Sequence, residues 1–173
     1  MALESIYIQE KLTETFGSIV SDFKQDKDVF SFEVTAENIT AVILFLKNDP
    51  TLRFNFLTDL CGVHYPDNEE NRQFAMVYHM HNWYDNKRIR IKSYLNGTNP
   101  EIKTLTNIFL SANWMERETY DFYGINFIGH PQLKRILNMD EMVSFPMRKE
   151  FPMEDSGRTD KDDRFFGRTS LNS

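Results

Sequence analysis

The sequence predicts an α+β protein, a small mixed four-stranded sheet with helices packed on it, followed by an extended C-terminal arm. Stretches whose apolar residues recur at helical spacing alternate with stretches whose apolar residues occupy every second position. Beyond residue 153 the only aliphatic residue is Leu171, so this segment has too little apolar surface to order itself. We therefore expect a single α+β domain over residues 1–153 and an extended or disordered tail over residues 154–173.

The first part of the chain predicts two helices and two strands. Helical spacing of apolar residues predicts a helix over about residues 4–16 that ends near Gly17, a residue that tolerates left-handed backbone angles. The alternation in "VFSFEVT" predicts a half-buried strand, and "ENITAVILFLKNDP" predicts a helix that stops before Pro50. The segment "RFNFLTDLCGVHYP" predicts a second strand with Phe54 and Phe56 on one face.

The middle of the chain predicts a hairpin. The segments "RQFAMVYHMHNW" and "RIRIKSYL" read as strands joined by the short polar turn "YDNK", and the second alternates apolar with basic side chains. The segment "NPEIKTLTNIFL" predicts a helix capped by Asn99 with Pro100 at its first position. A further helix is predicted from Asn113, with Glu116 completing a capping box, to the residue before Gly124.

Composition and motifs exclude several classes of function. The net charge is −6 and no basic run occurs, which disfavours nucleic-acid binding. The one cysteine, Cys61, excludes an internal disulfide and an iron–sulfur cluster held by this chain alone. No stretch reaches the ~20 apolar residues of a membrane span, and the N-terminus lacks a signal-peptide core. Glycine-rich phosphate-binding motifs are absent from the sequence.

Two other residue pairs could carry chemistry. His79 and His81 share one strand face and could begin a metal site, but the sequence places no third ligand beside them. Cys61 and His64 could form a nucleophile pair, but no activating context accompanies them. We favour a plain strand face for the histidines and a small buried hydrophobe for the cysteine.

The segment "ERETYDFYGINFIGHPQLKRIL", residues 116–137, is the densest in charged and aromatic residues. Glu116 and Glu118 diverge by about 200° around a helix, so they do not form a carboxylate dyad. The apolar side chains of this helix point nearly all round, which predicts burial on more than one side and leaves buried charges in need of partners. Asp121 is expected to pair with Arg117 or Arg135. A core helix, a partner interface and a catalytic site all remain open.

The segment after that helix is predicted to be irregular. Ile125 and Phe127 indicate a short extended piece, Gly129 a corner, and Pro131 the start of a brief helix. The segment "FPMRKEFPM" is expected to be extended because of its prolines, so that its backbone groups need outside partners.

These residues resemble the signature of the C subunit of the proton-pumping NADH:quinone oxidoreductase, respiratory complex I, over roughly residues 28–153. In that family a Gly-His pair usually precedes the proline at position 146, where this chain has Ser144-Phe145, and an aspartate is usual where this chain has Glu150. The residues assigned to the family motif or to a partner interface are Glu116, Arg117, Glu118, Asp121, Gly124, Ile125, Phe127, Gly129, His130, Pro131, Arg135, Pro146, Arg148, Lys149 and, in the tail, Phe165 and Phe166.

The resemblance implies a peripheral-arm subunit that has no catalytic, cofactor-binding or metal-binding residue of its own. It would support the quinone-site subunits D and B on the cytoplasmic face of a bacterial inner membrane, during electron transfer from NADH to quinone coupled to proton translocation. NADH, FMN, iron–sulfur clusters and quinone would be held by other subunits. The alternatives are the equivalent subunit of a membrane-bound hydrogenase or other quinone-dependent complex, and a free-standing small enzyme that uses Glu116, Glu118 and His130.

Overall fold

The computed structural model describes residues 4–151, and the elements given below belong to that part of the chain. The helices are α1 (Ser5–Phe16), α2 (Ile39–Asn48) and α3 (Ala112–Tyr123). The strands are β1 (Val20–Asp26), β2 (Val29–Val34), β3 (Phe56–His64), β4 (Phe74–Asn82), β5 (Lys87–Leu95), β6 (Glu101–Lys103) and β7 (Asn126–Ile128). The predicted C-terminal tail, with Phe165 and Phe166, lies outside the described residues.

The main sheet has five strands in the order β1-β2-β5-β4-β3, one more than predicted. The pair β2–β5 is parallel and the other pairs are antiparallel, so the predicted mixed α+β class is confirmed. The sequence did not reveal β1 because a register shift between Ser21 and Lys24, with a positive φ of 50° at Asp22, interrupts its alternation. Its exposed edge also carries polar side chains, as edge strands commonly do.

One face of the sheet, here called the covered face, forms the core with the helices. Phe32, Tyr78 and Ile91 are buried there in the same cluster as Leu12 of α1 and Val42 of α2. The opposite face, here called the open face, has no α-helix over it within residues 4–151, although Arg72 of the short 3-10 helix Glu70–Arg72 binds Glu33 there and stacks on Tyr94. Its strand residues, taken from β2 to β5, are Val29, Ser31, Glu33, Phe56, Asp59, Cys61, Val63, Ala75, Val77, His79, His81, Arg88, Arg90, Lys92 and Tyr94.

The predicted strand through Phe54 and Phe56 begins later than expected. Phe54 is buried in the loop before β3, where its N–H donates to the Leu46 carbonyl. Phe56 is partly exposed on the open face beside Trp83. The prediction that the two rings share a face is therefore wrong, because Arg53, with a φ of 46°, bends the chain before the strand starts.

The helix predicted over residues 99–110 is also wrong. Residues 101–103 form β6, which pairs in parallel with β7, and turns follow. Ile102, Leu105 and Phe109 are nevertheless buried, so the apolar residues were correctly assigned to the core. Pairing with a strand that lies more than twenty residues further along the chain overrides the local helical pattern.

Candidate partner-docking site around the charged motif

Asp121 is the most heavily hydrogen-bonded side chain of the motif. Its carboxylate, 0% exposed, accepts the backbone N–H groups of residues 136, 137 and 138 at 3.1, 2.8 and 2.9 Å. The Asn138 side chain and the Arg135 guanidinium donate to it as well. Burial alone would raise the pKa of this carboxyl, but the donors from Asn138, Leu137 and Arg135 outweigh it and hold the pKa well below its usual range.

Two arginines join α3 to the segment that comes after it. Arg135 donates to Asp121 Oδ1 at 2.8 Å and also to the carbonyls of Met142 and Ser144. The predicted pairing of Asp121 with Arg117 or Arg135 is therefore confirmed for Arg135. Arg117 does not bind the acid; it donates to the carbonyls of Lys134 and Arg135 at 3.1 Å each.

These contacts fix the path of residues 134–147, a segment called the strap from here on. The brief helix predicted after Pro131 is wrong, because residues 131–147 form turns and bends. Asp121 accepts the N–H groups of residues 136–138, and Arg135 donates to carbonyls further along. Buried side chains of α3 and the strap's own arginine thus satisfy many of the strap's backbone groups in place of helical hydrogen bonds.

Glu116 is buried on another side of α3 and has no cation beside it within the described chain. Its oxygens accept the Leu105 N–H at 2.6 Å and the Thr104 hydroxyl. Burial is the dominant effect and raises the pKa of Glu116 to about 7, although these two donors act against it. The predicted capping box is wrong, since Glu116 joins α3 to the loop after β6.

His130 holds the corner before the strap. Its Nε2 lies 3.2 Å from the Asn113 carbonyl, and its Nδ1 accepts the Gln132 N–H at 3.0 Å. This arrangement requires the neutral ring with the proton on Nε2. The residue before it, Gly129, has a φ of 85°. The imidazole therefore binds backbone groups at both nitrogens and orients the turn.

The departure from the family pattern at Ser144-Phe145 has a visible role. The Phe145 ring lies against Gly124, where an added Cβ would stand 2.5 Å from a ring carbon. The guanidinium groups of Arg135 and Arg148 lie 4.9 and 4.8 Å from the ring centre. Arg148 also donates to the Tyr123 carbonyl at 2.7 Å. Phe145 thus fills the space between the C-terminus of α3 and the end of the strap.

Arg148 and Lys149, which the sequence groups together, have different surroundings. The Arg148 side chain is half-buried and stacks on Phe145 and Phe74. The Lys149 side chain is exposed and makes no hydrogen bond within residues 4–151, where only its backbone N–H is engaged, donating to His64 Nδ1 at 3.0 Å. Burial lowers the pKa of His64, which favours the neutral ring that accepts this bond. Arg148 therefore contributes to the chain's own packing, and Lys149 remains free to meet a partner.

The motif exposes apolar side chains while it buries charged ones. Trp114 is 62% exposed and Leu137 is 66% exposed, and together with Met115, Glu118 and Ile136 they line an open groove of about 210 Å³. Further along the strap Met139, Val143 and Met147 are also exposed, Val143 at 95%. Large exposed apolar patches mark interaction sites on soluble proteins.

The other predicted site residues are distributed as follows. Ile125 and Phe127 are buried, Gly124 has a φ of 70° at the end of α3, and Pro146 is half-buried in the strap. Glu118 and Pro131 are exposed. Sequence reasoning missed Thr104, Asn138 and Phe145, because the contacts of each depend on where distant segments meet.

Neither of the other candidate chemistries is supported by geometry. Within residues 4–151, no group of three or more His, Cys, Asp or Glu could hold a metal ion. Burial raises the pKa of the Cys61 thiol, which opposes a nucleophilic role. The ring of His64 is stacked on Phe74, with centroids 4.4 Å apart, and its Nδ1 accepts the bond from the Lys149 backbone. No helix within the same residues is long and apolar enough to cross a membrane.

Known structures share this fold. The trypsin-resistant fragment 1–134 of Nqo5 matches with a TM-score of 0.61 and 27% identity, covering 75% of this chain and 100% of that one. A chain of the membrane-bound sulfane sulfur reductase, an archaeal respiratory membrane complex, matches with a TM-score of 0.69 at 22% identity, over 84% of each chain. The fold is thus that of a small α+β protein similar to Nqo5.

The sequence comparisons give the family. The model described as "Respiratory-chain NADH dehydrogenase, 30 Kd subunit" matches residues 32–157. The C 2 subunit of the NADH-quinone oxidoreductase of Rhizobium etli (strain CIAT 652) is 40% identical over 154 residues, which cover 88% of this chain and 80% of that protein. The C subunit of the NADH-quinone oxidoreductase of Roseiflexus sp. (strain RS-1) is 37% identical over 171 residues, which cover 96% and 95%. The chain belongs to the respiratory-chain NADH dehydrogenase 30 kDa subunit family.

Proposed function

We propose that this chain is a non-catalytic peripheral-arm subunit of an NADH:quinone oxidoreductase. In this role it supports the quinone-site subunits D and B on the cytoplasmic face of a bacterial inner membrane, while the complex couples electron transfer to proton translocation. Family membership supports the complex, since similar proteins are named as the C subunit of NADH-quinone oxidoreductase. The assignment to subunits D and B rests on the resemblance described above.

The inverted polarity of the motif is the observation that carries this proposal. Asp121 and Arg135 are buried and bonded to each other, while Trp114 and Leu137 are exposed around the groove. Burying charged groups is costly unless each is paired and hydrogen-bonded. Here the buried pair holds a strap that displays apolar side chains, and such side chains gain free energy when a partner covers them. The strap and the groove together form the proposed docking site.

We also propose that the chain has no active site of its own. Glu116 is 0% exposed and already accepts two hydrogen bonds, and His130 uses both ring nitrogens for backbone groups. NADH, FMN, the iron–sulfur clusters and quinone would then reside on other subunits. An absorbance spectrum of the purified full chain is expected to show the aromatic band alone. A stoichiometric chromophore would contradict this proposal.

The docking site is tested by Leu137→Glu in the full chain. A carboxylate in the proposed interface is expected to lower incorporation into the membrane complex by about tenfold or more, since an unpaired buried charge costs several kcal/mol. Leu44→Glu is the matched control, because Leu44 is also an exposed leucine but lies on α2. The thermal midpoint of each isolated variant is measured beside its incorporation, and equal incorporation of the two variants would contradict the proposed site.

The kind of complex is tested by its other subunits. The relatives cited above, at 37–40% identity, are subunits of NADH-quinone oxidoreductases, which favours that complex over a hydrogenase. Purification of the complex through a tag on this chain, followed by mass spectrometry, is expected to find the NADH-binding subunits. A set of co-purifying chains that includes a hydrogenase large subunit instead would favour the alternative.

A further inference from the structure

The open face of the main sheet carries charged residues that take no part in the strap interface. The open face lies on the opposite side of the sheet from α1, α2 and α3. The buried residues of these helices join the core on the covered face. A solvated face is common in antiparallel sheets. The distribution of charge on this face indicates more than simple solvation.

The central strand β5 carries successive cations along the open face. Arg88, Arg90 and Lys92 alternate with buried Ile89 and Ile91, so their side chains lie in one column. Within the described residues none of the three cations forms a salt bridge. The chain as a whole has a net charge of −6, so this column is a local reversal of its overall charge.

The carboxylates nearest the β5 cations are engaged with other groups. Asp22 of β1 is close enough for Lys92 to help lower its pKa, but its carboxylate binds Lys24 Nζ at 2.6 Å. Glu33 is the register neighbour of Lys92 across the parallel pair, but its carboxylate binds Arg72 at 3.0 and 3.1 Å. Asp59 lies on the far strand β3, 3.6 Å from His79 Nδ1. The cations of β5 are therefore left without an ion-pair partner in the part of the chain that the structure describes.

The histidine beside the column, His79, is neutral and leaves the positive charge of the column unchanged. Arg90 Nε donates to His79 Nε2 at 2.9 Å, so that nitrogen must be an unprotonated acceptor. Burial, together with the charge of Arg90, lowers the pKa of His79, although Asp59 acts in the opposite direction. The ring thus stays neutral and orients the arginine.

We propose that the open face is a second docking surface, distinct from the strap, and that it binds a carboxylate-bearing segment of another subunit of the same complex. The β5 cations would contact the acidic groups of that segment. Charge complementarity supports an acidic protein segment, because uncompensated Arg and Lys side chains in the middle of a sheet favour a partner of opposite sign. This inference needs the complex but not the strap interface.

Zero-length cross-linking of the assembled complex tests the proposal. A water-soluble carbodiimide activates a carboxylate, and an amine within contact distance displaces the activating group as a urea and forms an amide bond. Lys92 is expected to be joined to an Asp or Glu of another subunit, which peptide mass spectrometry identifies. Lys103, exposed on β6, is the control lysine. A cross-link from Lys92 only to Glu33, or to a carboxylate of residues 154–163 of the same chain, would overturn the proposal.

Lysine footprinting gives a second readout that does not depend on trapping a contact. Acetylation of Lys92 is expected to slow by about tenfold in the complex relative to the free full chain, as expected for a charge buried by a partner. Equal rates in both states would show that the face stays open. A different result would overturn the proposal by assigning the face to a membrane surface. In that case vesicles of anionic phospholipid would slow the acetylation of Lys92 in the free chain, but acetylation would not be slowed in the detergent-purified complex.

The charge-reversal variants Arg88→Glu and Lys92→Glu complete the test. Each is expected to lower incorporation into the complex, whereas Lys103→Glu is expected to leave it unchanged. The folded state of each variant is checked by its thermal midpoint. Unchanged incorporation of both open-face variants would overturn this proposal but would leave the strap interface intact, because that interface is tested separately through Leu137.

Discussion

At the residue scale, Asp121 determines the path of the strap. Its carboxylate gathers the N–H groups of residues 136–138 and the Arg135 guanidinium in a site that is 0% exposed. Such a cluster of backbone donors is an anion-binding concavity, and here the chain's own carboxylate fills it. Removal of the carboxylate leaves the three N–H groups without this acceptor and the buried Arg135 cation without its counter-charge, although its guanidinium still donates to the backbone carbonyls of residues 121, 142 and 144.

Asp121→Ala is accordingly expected to lower the free energy of unfolding by about 3–5 kcal/mol. Because the pKa of Asp121 is lowered in the folded state, its contribution is present above the usual aspartate pKa and is lost as the pH falls below it. Urea unfolding measures both effects. Glu118→Ala, on the exposed side of the same helix, is the control and is expected to change stability by less than about 0.5 kcal/mol. Similar losses for both variants would refute the role of Asp121.

The contribution of Glu116 to stability is expected to depend on pH in the opposite direction from that of Asp121. Its pKa is about 7 in the folded state against an ordinary value of 4.5, so the folded protein binds the extra proton. Stability therefore falls as the pH rises from about 4.5 to 7, by about 3 kcal/mol in total from this group. Glu116→Gln reproduces the hydrogen bonds of the protonated acid, with its carbonyl accepting from Leu105 and its amide donating to Thr104.

The difference between the unfolding free energies of Glu116→Gln and the natural chain isolates this effect. It is expected to grow in favour of the variant between pH 4.5 and 7 and to stay constant above that range. His64, whose pKa is lowered in the folded state, changes stability in an overlapping pH range with the opposite sign, but it contributes equally to both proteins and cancels. A pH-independent difference would show that folding leaves the pKa of Glu116 unchanged.

At the element scale, the end of α3 and the strap depend on each other. Gly124 ends the helix with a φ of 70°, and the Phe145 ring occupies the space where a side chain would project. A glycine is required here both for the backbone angle and for the contact. The sequence predicts the need for a left-handed backbone angle, because a glycine commonly ends a helix. It does not predict the close contact with Phe145.

Gly124→Ala is expected to destabilise the chain by more than the cost of about 1 kcal/mol that the left-handed backbone conformation alone imposes on alanine. The matched comparison is the same substitution in a Phe145→Leu background, where the ring no longer fills the space of the added Cβ. Thermal and urea unfolding measure the substitution in both backgrounds. The loss at Gly124 is expected to shrink when Phe145 is replaced by Leu, and an unchanged loss would show that the ring moves aside at no cost.

At the scale of the whole molecule, the two proposed docking surfaces are built from different parts of the fold. The strap and groove are attached to α3, which packs on the covered face through Gly62 of β3, whereas the β5 cations lie on the open face. Sites that share no contacts give additive free energies. The variant that combines Leu137→Glu with Lys92→Glu is therefore expected to reduce incorporation by the product of the two single reductions. A combined loss no greater than that of Leu137→Glu alone would indicate one shared partner contact.

The local pattern of the sequence determined the elements whose signals agree with the final fold. The β4–β5 hairpin, α1 and α3 follow from alternation, helical spacing and a glycine at each helix end. The expectation that Asp121 needs an arginine also follows from the sequence, because a buried acid in the last turns of a helix requires a partner. The resemblance to the family signature was likewise readable from residues 116–137.

The tertiary structure decided the rest through long-range pairing. β1 is a strand because β2 offers its edge, and residues 101–103 are a strand because β7 lies beside them, although the local pattern of that segment is helical. The strap has no regular secondary structure because Asp121 supplies an acceptor that a helix would otherwise provide. Which charges are buried and which apolar side chains face outward was settled only when α3, the strap and the sheet came together, since burial depends on neighbours distant in sequence.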